Sequence, residues 1–367
     1  MIPINLPKID EEEVNAVVKV LRSGLLTNSL GAGPMVTQFE REFSEFSGAK
    51  HAIAVNTGTA ALHSAVLTTG IKHGDEVILP SFTFVATAEA VALAGGKPVF
   101  TDIDPQTYNI DPAKIEKAVT TKTKTIVPVD LYGLPADIKP IREIAVEHGL
   151  AVVEDSAQAH GATYYGKPAG AFADAACWSL YASKNITAGE GGVITTNSDE
   201  MAETMRMIRT HGEKTKYSSN MVGCNYRMPE IQAAIGLVQL KKLPSFVAKR
   251  QRNAQKLSEL LAETDKLQLP HEPKSRKHSW YLYTVRLKNA DEKQRNKIVA
   301  ELKKKGIGAE VYYASPVHLM PYYHGSFGKQ ELPETEKAAK QVFSLPVHPG
   351  VTEEQVEYIG KTLVQLL

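Results

Sequence analysis

The sequence predicts an α/β protein made of two domains. From about residue 36 onward, helical segments alternate with short apolar, β-branched runs, which is typical of buried parallel strands. Near residue 245 the pattern changes to a long charged helix, an alternating strand and a basic amphipathic helix. With 367 residues the chain is also too long for one small core. We expect a large α/β domain over residues 1–244, the N-terminal segment included, and a smaller α+β domain over residues 245–367.

The predicted elements follow in chain order. Apolar residues at helical spacing behind acidic ones predict a helix over residues 11–21, and Gly, Asn and Ser residues predict a loop over 23–33. The predicted strands cover residues 51–55, 76–80, 98–100, 125–129, 151–154 and 279–287. The remaining predicted helices are an Ala-rich helix after residue 59 and helices over residues 85–94, 230–240, 246–263 and 291–305.

Composition and charge argue against a protein that binds nucleic acid or a membrane. The 42 Lys and Arg residues are balanced by 41 Asp and Glu residues, so no basic surface is indicated. No apolar run approaches the roughly 20 residues that cross a bilayer. Cys177 and Cys224 lie in no metal-ligand or paired-cysteine pattern, and the first residues lack the pattern of a signal peptide. We therefore expect a cytoplasmic protein without a bound metal.

An acid and a lysine near strand ends suggest the chemistry of pyridoxal phosphate. Asp155 follows an apolar strand, at the sheet edge where ligands bind in open α/β sheets. Lys184 comes later in the chain, before a glycine-rich turn. A lysine amine can condense with the aldehyde of this cofactor, and an aspartate with a lowered pKa can keep the pyridine nitrogen protonated.

Two further segments offer places for the phosphate and the ring. Gly58 and Thr59 lie between a strand and a helix N-terminus, where backbone N–H groups attract an anion. Phe82 or Phe84 could stack on the ring. Each signal also has an ordinary explanation, because such turns are often only helix caps and an isolated lysine usually lies at the surface. Their joint occurrence in chain order favours the cofactor site.

Five segments resemble those of a known family. They are NTGTAAL, PSFTFVATA, EDSAQAHGA, SLYASKNITAGEGG and NYRMPEIQAAIG, which begin at residues 56, 80, 154, 179 and 225. The sequence is similar to the DegT/DnrJ/EryC1/StrS family of sugar aminotransferases, and the likeness runs from residues 23–27 to residues 344–348. The resemblance implies the type I aspartate-aminotransferase fold, with a mixed, mostly parallel sheet in the large domain.

The resemblance also implies roles for particular residues. Lys184 matches the Schiff-base lysine, Asp155 the partner of the pyridine nitrogen, and Gln158 the group that contacts the ring hydroxyl. Asn225 matches a residue that reaches the phosphate from the neighbouring subunit, which implies a homodimer with shared active sites. The other implied contacts are with the phosphate, from Gly58, Thr59 and Ser179, and with the two ring faces, from Phe84 and Ala157.

Substrate contacts are less specific. Arg227 could pair with a phosphate or carboxylate of the substrate, or equally form a salt bridge between subunits. Tyr313 and His318 lie in a segment that lines the substrate site in the relatives. His160 follows the acid, where a structural role is at least as plausible as a catalytic one. The basic residues 303–305 are interpreted as the solvated end of a helix.

The function implied by the resemblance is transfer of an amino group from an amino acid, by family habit L-glutamate, to a keto-sugar carried on a nucleotide diphosphate. Cys224 and Asn56 stand where the family commonly has a bulkier residue and a Ser, and neither supplies a reacting group. Dehydratase members carry His at the position of Lys184, which argues against that activity. Two alternatives stay open: an aminotransferase acting on a non-nucleotide cyclic ketone, and a non-catalytic regulatory protein that binds the cofactor.

Overall fold

The computed structural model describes residues 1–327 and 330–367. The α-helices are α1 (Glu11–Ser23), α2 (Pro34–Ser47), α3 (Gly58–Thr68), α4 (Ala86–Leu93), α5 (Pro112–Ala118), α6 (Ile138–His148), α7 (Asp199–Arg209), α8 (Glu230–Leu261), α9 (Glu292–Lys304), α10 (Pro321–Phe327), α11 (Pro333–Gln341) and α12 (Glu353–Leu366). The strands are β1 (His51–Val55), β2 (Glu76–Pro80), β3 (Lys97–Thr101), β4 (Thr123–Ile126), β5 (Ala151–Asp155), β6 (Thr163–Tyr164), β7 (Lys167–Pro168), β8 (Ala175–Ser179), β9 (Gly192–Thr196), β10 (Glu213–Thr215), β11 (Ser218–Ser219), β12 (Leu267–Gln268), β13 (Arg276–Lys277), β14 (Tyr283–Leu287) and β15 (Val342–Leu345).

A seven-stranded sheet in the order β1-β9-β8-β5-β4-β2-β3 forms the centre of the molecule. The pairs β2–β3, β2–β4, β4–β5 and β5–β8 are parallel, whereas β9 is antiparallel to both of its neighbours. This is the mixed, mostly parallel sheet that the resemblance implies, and the predicted α/β class is confirmed.

Both faces of the sheet are covered by helices, which explains why its strands are apolar throughout. In β1, Ile53 and Val55 pack with residues of α3, α4 and α7, whereas Ala52 and Ala54 pack with residues of α2 and α8. Successive side chains of a strand point to opposite faces, so a strand buried on both sides needs apolar residues at every position.

A second, smaller sheet follows α8. Strand β14 lies between β12 and β15, antiparallel to both, and packs with α9, α12 and the last turns of α8. The strand predicted over residues 279–287 is shorter, because Ser279 and Leu282 donate their backbone N–H groups to the loop at Gly133 and Tyr132 instead of to a neighbouring strand.

The predicted break between helices at residues 240–246 is wrong, since α8 is continuous through Pro244. Proline removes one backbone donor from a helix, but Leu243, Phe246 and Val247 on either side of it are buried in the same apolar cluster. Tertiary packing therefore holds the helix together.

The domain division at residue 244 falls inside α8 and stays a prediction. The N-terminal segment contacts the part of the molecule that contains the second sheet, because Ile2 forms an isolated β-bridge with Ile307.

Candidate active site

The predicted site residues gather at the carboxyl-terminal edge of the central sheet. Asp155 ends β5 and Ser179 ends β8, while Gly58 begins the helix that follows β1. The loop after β2 carries Phe84 to the same edge, because Thr87 in the first turn of the following helix, α4, bonds to Asp155. Ligands bind at this edge in open α/β sheets, as the sequence led us to expect.

The carboxylate of Asp155 is buried and held by two neutral donors. Thr87 Oγ1 donates to its Oδ2 at 2.8 Å, and the Ala157 N–H donates to its Oδ1 at 3.2 Å. Burial raises the pKa of Asp155 above its ordinary value, and these hydrogen bonds together with the charge of Lys184 act in the opposite direction. The chain's own groups therefore do not produce the lowered pKa expected from the sequence, because burial outweighs the two hydrogen bonds and the charge of Lys184.

Lys184 lies in the turn after β8, partly buried and next to an aromatic ring. Its Nζ is 4.7 Å from the centroid of the Tyr281 ring, and the Tyr281 hydroxyl is 3.0 Å from Ser183 Oγ. The positive charge of Lys184 lowers the pKa of both Asp155 and His160, although burial is the largest influence on each. The lysine and the acid that the sequence singled out are thus brought together.

The start of α3 forms a concave nest of backbone N–H groups against β8. Thr57 caps the helix by accepting from Ala60 N–H at 3.0 Å, which leaves the N–H groups of Gly58 and Thr59 outside the intrahelical pattern. A Cβ placed on Gly58 would lie 2.8 Å from Ser179 Cβ. Gly58 and Ser179 are therefore in direct contact, and only a glycine fits between the helix and the strand.

The two candidate stacking residues have different environments. Phe82 is fully buried and packs with the rings of Tyr108 and Tyr132. Phe84 is 56% exposed, and its ring centroid lies 6.2 Å from that of Tyr313. Only the Phe84 ring is accessible to a ligand.

Gln158 and Ala157 follow Asp155 on the same turn. The Gln158 side chain is buried and bonded at both ends: its oxygen accepts from Tyr132 N–H at 2.7 Å, and its nitrogen donates to the Tyr313 hydroxyl at 3.1 Å. Ala157 is partly exposed. One amide hydrogen of Gln158 thus remains for a ligand.

His318 and His160 are both buried in protein contacts. The His318 Nδ1 is 2.7 Å from Ser81 Oγ, and its Nε2 is 3.5 Å from a carboxylate oxygen of Glu336. His160 packs on the Trp178 ring at 5.2 Å, and burial lowers its pKa to about 3. These positions favour a structural role for His160, and they give no support to the substrate contact predicted for His318, which stays a prediction.

Asn225 and Arg227 lie near the nest, and within the described residues their contacts on this side come from the backbone. The Asn225 carbonyl accepts from Asn56 Nδ2 at 3.4 Å, and its side chain is exposed. Arg227 pairs with Val55 in an isolated bridge and enters no ion pair within the described part of the chain. Their predicted roles toward a second subunit and toward a substrate stay predictions.

Sequence reasoning missed Thr87 and Tyr281. Thr87 is 68 residues from Asp155 along the chain and Tyr281 is 98 residues from Ser183, so no local spacing connects them. Thr87 does lie in the PSFTFVATA segment, and that was the available signal. Within residues 1–327 and 330–367, no group of three or more His, Cys, Asp or Glu side chains could hold a metal ion, and none of the helices is long and apolar enough to cross a membrane.

Comparison with known proteins decides the family. The sequence model of the DegT/DnrJ/EryC1/StrS aminotransferase family matches residues 7–364. The chain belongs to this family. A "Pleiotropic regulatory protein" of Geobacillus stearothermophilus is 43% identical over 372 residues, covering 99% of this chain and 98% of that protein. GDP-perosamine synthase of Caulobacter vibrioides is 39% identical over 369 residues, covering 100% and 98%. The crystal structure of S. venezuelae DesV matches with a TM-score of 0.92 at 36% identity, covering 99% and 98%.

The chain is therefore a pyridoxal-phosphate-dependent sugar aminotransferase of the DegT/DnrJ/EryC1/StrS family. Its residues fit this cofactor on their own geometry. The site holds a buried carboxylate whose pKa is raised by burial, a helix N-terminus whose first glycine packs against Ser179, the exposed aromatic ring of Phe84, and the amine of Lys184. These features suit a protonated ring nitrogen, a phosphate, a flat ring face and an aldehyde respectively.

Proposed function

We propose that the chain transfers an amino group from L-glutamate to a keto-sugar carried on a nucleotide diphosphate, and that it does so as a cytoplasmic homodimer. The observation that carries the proposal is the convergence of Asp155, Lys184 and the nest at Gly58 on one edge of the sheet. When bound, the cofactor carries the nitrogen between the two substrates and accepts the electron pair of a broken C–H bond.

Each residue has a distinct task in this proposal. The amine of Lys184 binds the cofactor and, once displaced by an amino substrate, moves a proton to or from the reacting carbon. The carboxylate of Asp155 holds the proton on the ring nitrogen. The N–H groups of Gly58 and Thr59, with Ser179, orient the phosphate. Phe84 covers one ring face, Ala157 lies against the other, and Gln158 meets the ring hydroxyl.

The substrate class is supported by the relatives and by the form of the site. A GDP-perosamine synthase shares 39% of its residues with the chain over nearly its whole length. Phe84 and Tyr181 are 56% and 49% exposed, so both rings are accessible to a substrate or to a second subunit. We infer that Arg227 and Tyr313 contact the substrate and that Asn225 serves the neighbouring subunit's phosphate. The substrate contact of His318 is a proposal from the resemblance alone, since its side chain is buried against Ser81 and Glu336.

A second candidate function is regulation without turnover. The relative with 43% identity is named a pleiotropic regulatory protein, and a regulator could bind the cofactor through the same groups. Regulation and catalysis differ in whether Lys184 is displaced by an amino substrate. An aminotransferase that uses a bare cyclic ketone is the other alternative, and it needs no pocket for a diphosphate.

The test is a half-reaction followed by absorbance. Purified protein loaded with pyridoxal phosphate is mixed with L-glutamate, and we expect its band to be replaced by that of the aminated cofactor. Keto-sugars with and without a nucleotide, and a cyclic ketone, are then compared for restoring the first band. Lys184→Ala should keep the fold by circular dichroism and lose both half-reactions. A loaded protein that ignores every amino donor would support regulation, and full turnover by Lys184→Ala would exclude the proposed role of the lysine.

A further inference from the structure

The buried hydroxyl groups of Thr83 and Thr87 form a short series of hydrogen bonds that ends at the carboxylate of Asp155. Thr87 Oγ1 lies 2.8 Å from Asp155 Oδ2, and Thr83 Oγ1 lies 2.9 Å from Thr87 Oγ1. Both threonines are 1% exposed and Asp155 is 5% exposed. This series of hydrogen bonds therefore runs from the loop after β2 to the end of β5 with almost no access for water.

The direction of these hydrogen bonds follows from counting protons. Thr87 has one hydroxyl hydrogen and two acceptors within reach, Asp155 Oδ2 at 2.8 Å and the Phe84 carbonyl at 3.1 Å. The Phe84 carbonyl already accepts the Thr87 backbone N–H at 3.2 Å. An ionised carboxylate is the stronger acceptor, so Thr87 donates to Asp155 and its oxygen is left to accept the hydrogen of Thr83.

We propose that Thr83 and Thr87 are positioning residues that hold Asp155 ionised and aimed at the ring nitrogen of the cofactor. The backbone N–H of Thr87 also donates to the carbonyl of Phe84 at 3.2 Å, and Phe84 is the residue whose exposed ring we assign to one face of the cofactor. Thr87 thus links the group that faces the ring edge to the group that faces the ring plane. The inference rests on the proposed role of Asp155.

The other groups that face Asp155 do not replace this contribution. The Ala157 N–H supplies one hydrogen bond, and Lys184 supplies a positive charge. Cys177 and Tyr313 also face Asp155, but burial raises the pKa of the Cys177 thiol and of the Tyr313 hydroxyl, and both are neutral at ordinary pH. Removing a hydroxyl that donates to a buried carboxylate leaves that oxygen unsatisfied, which favours the protonated acid.

The experiment compares two ligands that differ only at the ring nitrogen. Apoprotein is titrated with pyridoxal phosphate and with its 1-deaza analogue, which carries a C–H in place of that nitrogen, and the ratio of the two dissociation constants is measured. Wild-type protein should prefer pyridoxal phosphate. In Thr87→Val the preference should fall about tenfold, since a hydrogen bond to a charged group is lost. Thr83→Val should lower it about threefold, and Thr87→Ser should restore it.

Controls separate positioning from simple damage to the fold. Thr125 is a buried threonine whose hydroxyl bonds to Thr69 at 2.9 Å, so Thr125→Val removes a matched hydroxyl that does not touch Asp155, and it should leave the ratio unchanged. An unchanged ratio of dissociation constants in Thr87→Val, whether both ligands bind as in wild type or are weakened equally, would overturn the proposal. A wild-type protein with no preference between the ligands would instead overturn the assignment of Asp155, and the proposal with it.

Discussion

The contact between Gly58 and Ser179 gives a prediction that the geometry fixes closely. A methyl group on Gly58 would lie 2.8 Å from Ser179 Cβ and 3.1 Å from its Oγ. Unstrained carbon atoms approach to about 3.5–4.0 Å. Rotation of the serine cannot relieve the clash, because a Cβ is fixed by its own backbone in β8. Gly58→Ala must therefore push the first turn of α3 away from β8 and widen the nest that we assign to the phosphate.

The expected free-energy cost of the clash can be converted into a loss of affinity for pyridoxal phosphate. Extra atoms forced into a packed contact typically cost about 1–3 kcal/mol, and every 1.4 kcal/mol or so is a factor of ten in a dissociation constant. If the displacement must be reversed for the phosphate to bind, Gly58→Ala should weaken pyridoxal phosphate by about five- to 150-fold. The assay is an absorbance titration of apoprotein. Pyridoxal without its phosphate should be affected much less.

Two further variants determine whether the clash is the cause. Gly325→Ala adds a methyl group in α10 where nothing lies within 4 Å, so it should leave the affinity unchanged. In a Ser179→Gly background, which removes the opposing Cβ, the Gly58→Ala change should cost less than about threefold. Wild-type affinity in Gly58→Ala, or an undiminished cost in the Ser179→Gly background, would refute the reasoning.

Two other predictions concern Tyr281 and His278. Tyr281→Leu removes the ring next to Lys184 Nζ and should slow the glutamate half-reaction about tenfold. Tyr281→Phe keeps the ring and should slow the same half-reaction only about threefold. Equal slowing by the two variants in stopped-flow traces would argue against a role for the ring. Burial lowers the pKa of His278 from 6.5 to about 3, so below pH 6.5 the unfolded chain gains a proton that the folded chain lacks, and stability is lost as pH falls toward 3. In His278→Asn the amide oxygen can accept the Trp280 N–H in place of Nδ1. This variant should reduce the slope of the unfolding free energy against pH by about 1.4 kcal/mol per pH unit between pH 6 and 4. An unchanged slope in urea titrations would contradict the prediction.

The fold class and the sheet could be read from the sequence because burial on both faces leaves a direct trace in it. Residues such as Ile53 and Ala54 point to opposite sides of β1, and both must be apolar. The continuity of α8 could not be read in the same way. Pro244 is a local signal for a break, and the packing of Phe246 and Val247 that overrides it comes from elsewhere in the chain.

The site shows the same division between local and distant information. Asp155 lies at a strand end, Gly58 at a helix start and Lys184 in the turn after β8, so their positions follow from the order of elements. Thr87 and Tyr281 act through contacts with residues far away in the chain, and a threonine or tyrosine in isolation carries no sign of such a partner. Their identification needed the distances.

The catalytic and regulatory interpretations both require most of this site. A regulator that binds the cofactor needs the nest at Gly58 and the carboxylate of Asp155 as much as an enzyme does. A second subunit would not separate the two either, since the proposed homodimer is compatible with both. The difference lies at Lys184, because only turnover requires its amine to leave the cofactor and to return. Lys184 is only partly buried, and Tyr181 in the same turn is 49% exposed, so this position is accessible to an amino substrate, which favours the enzyme.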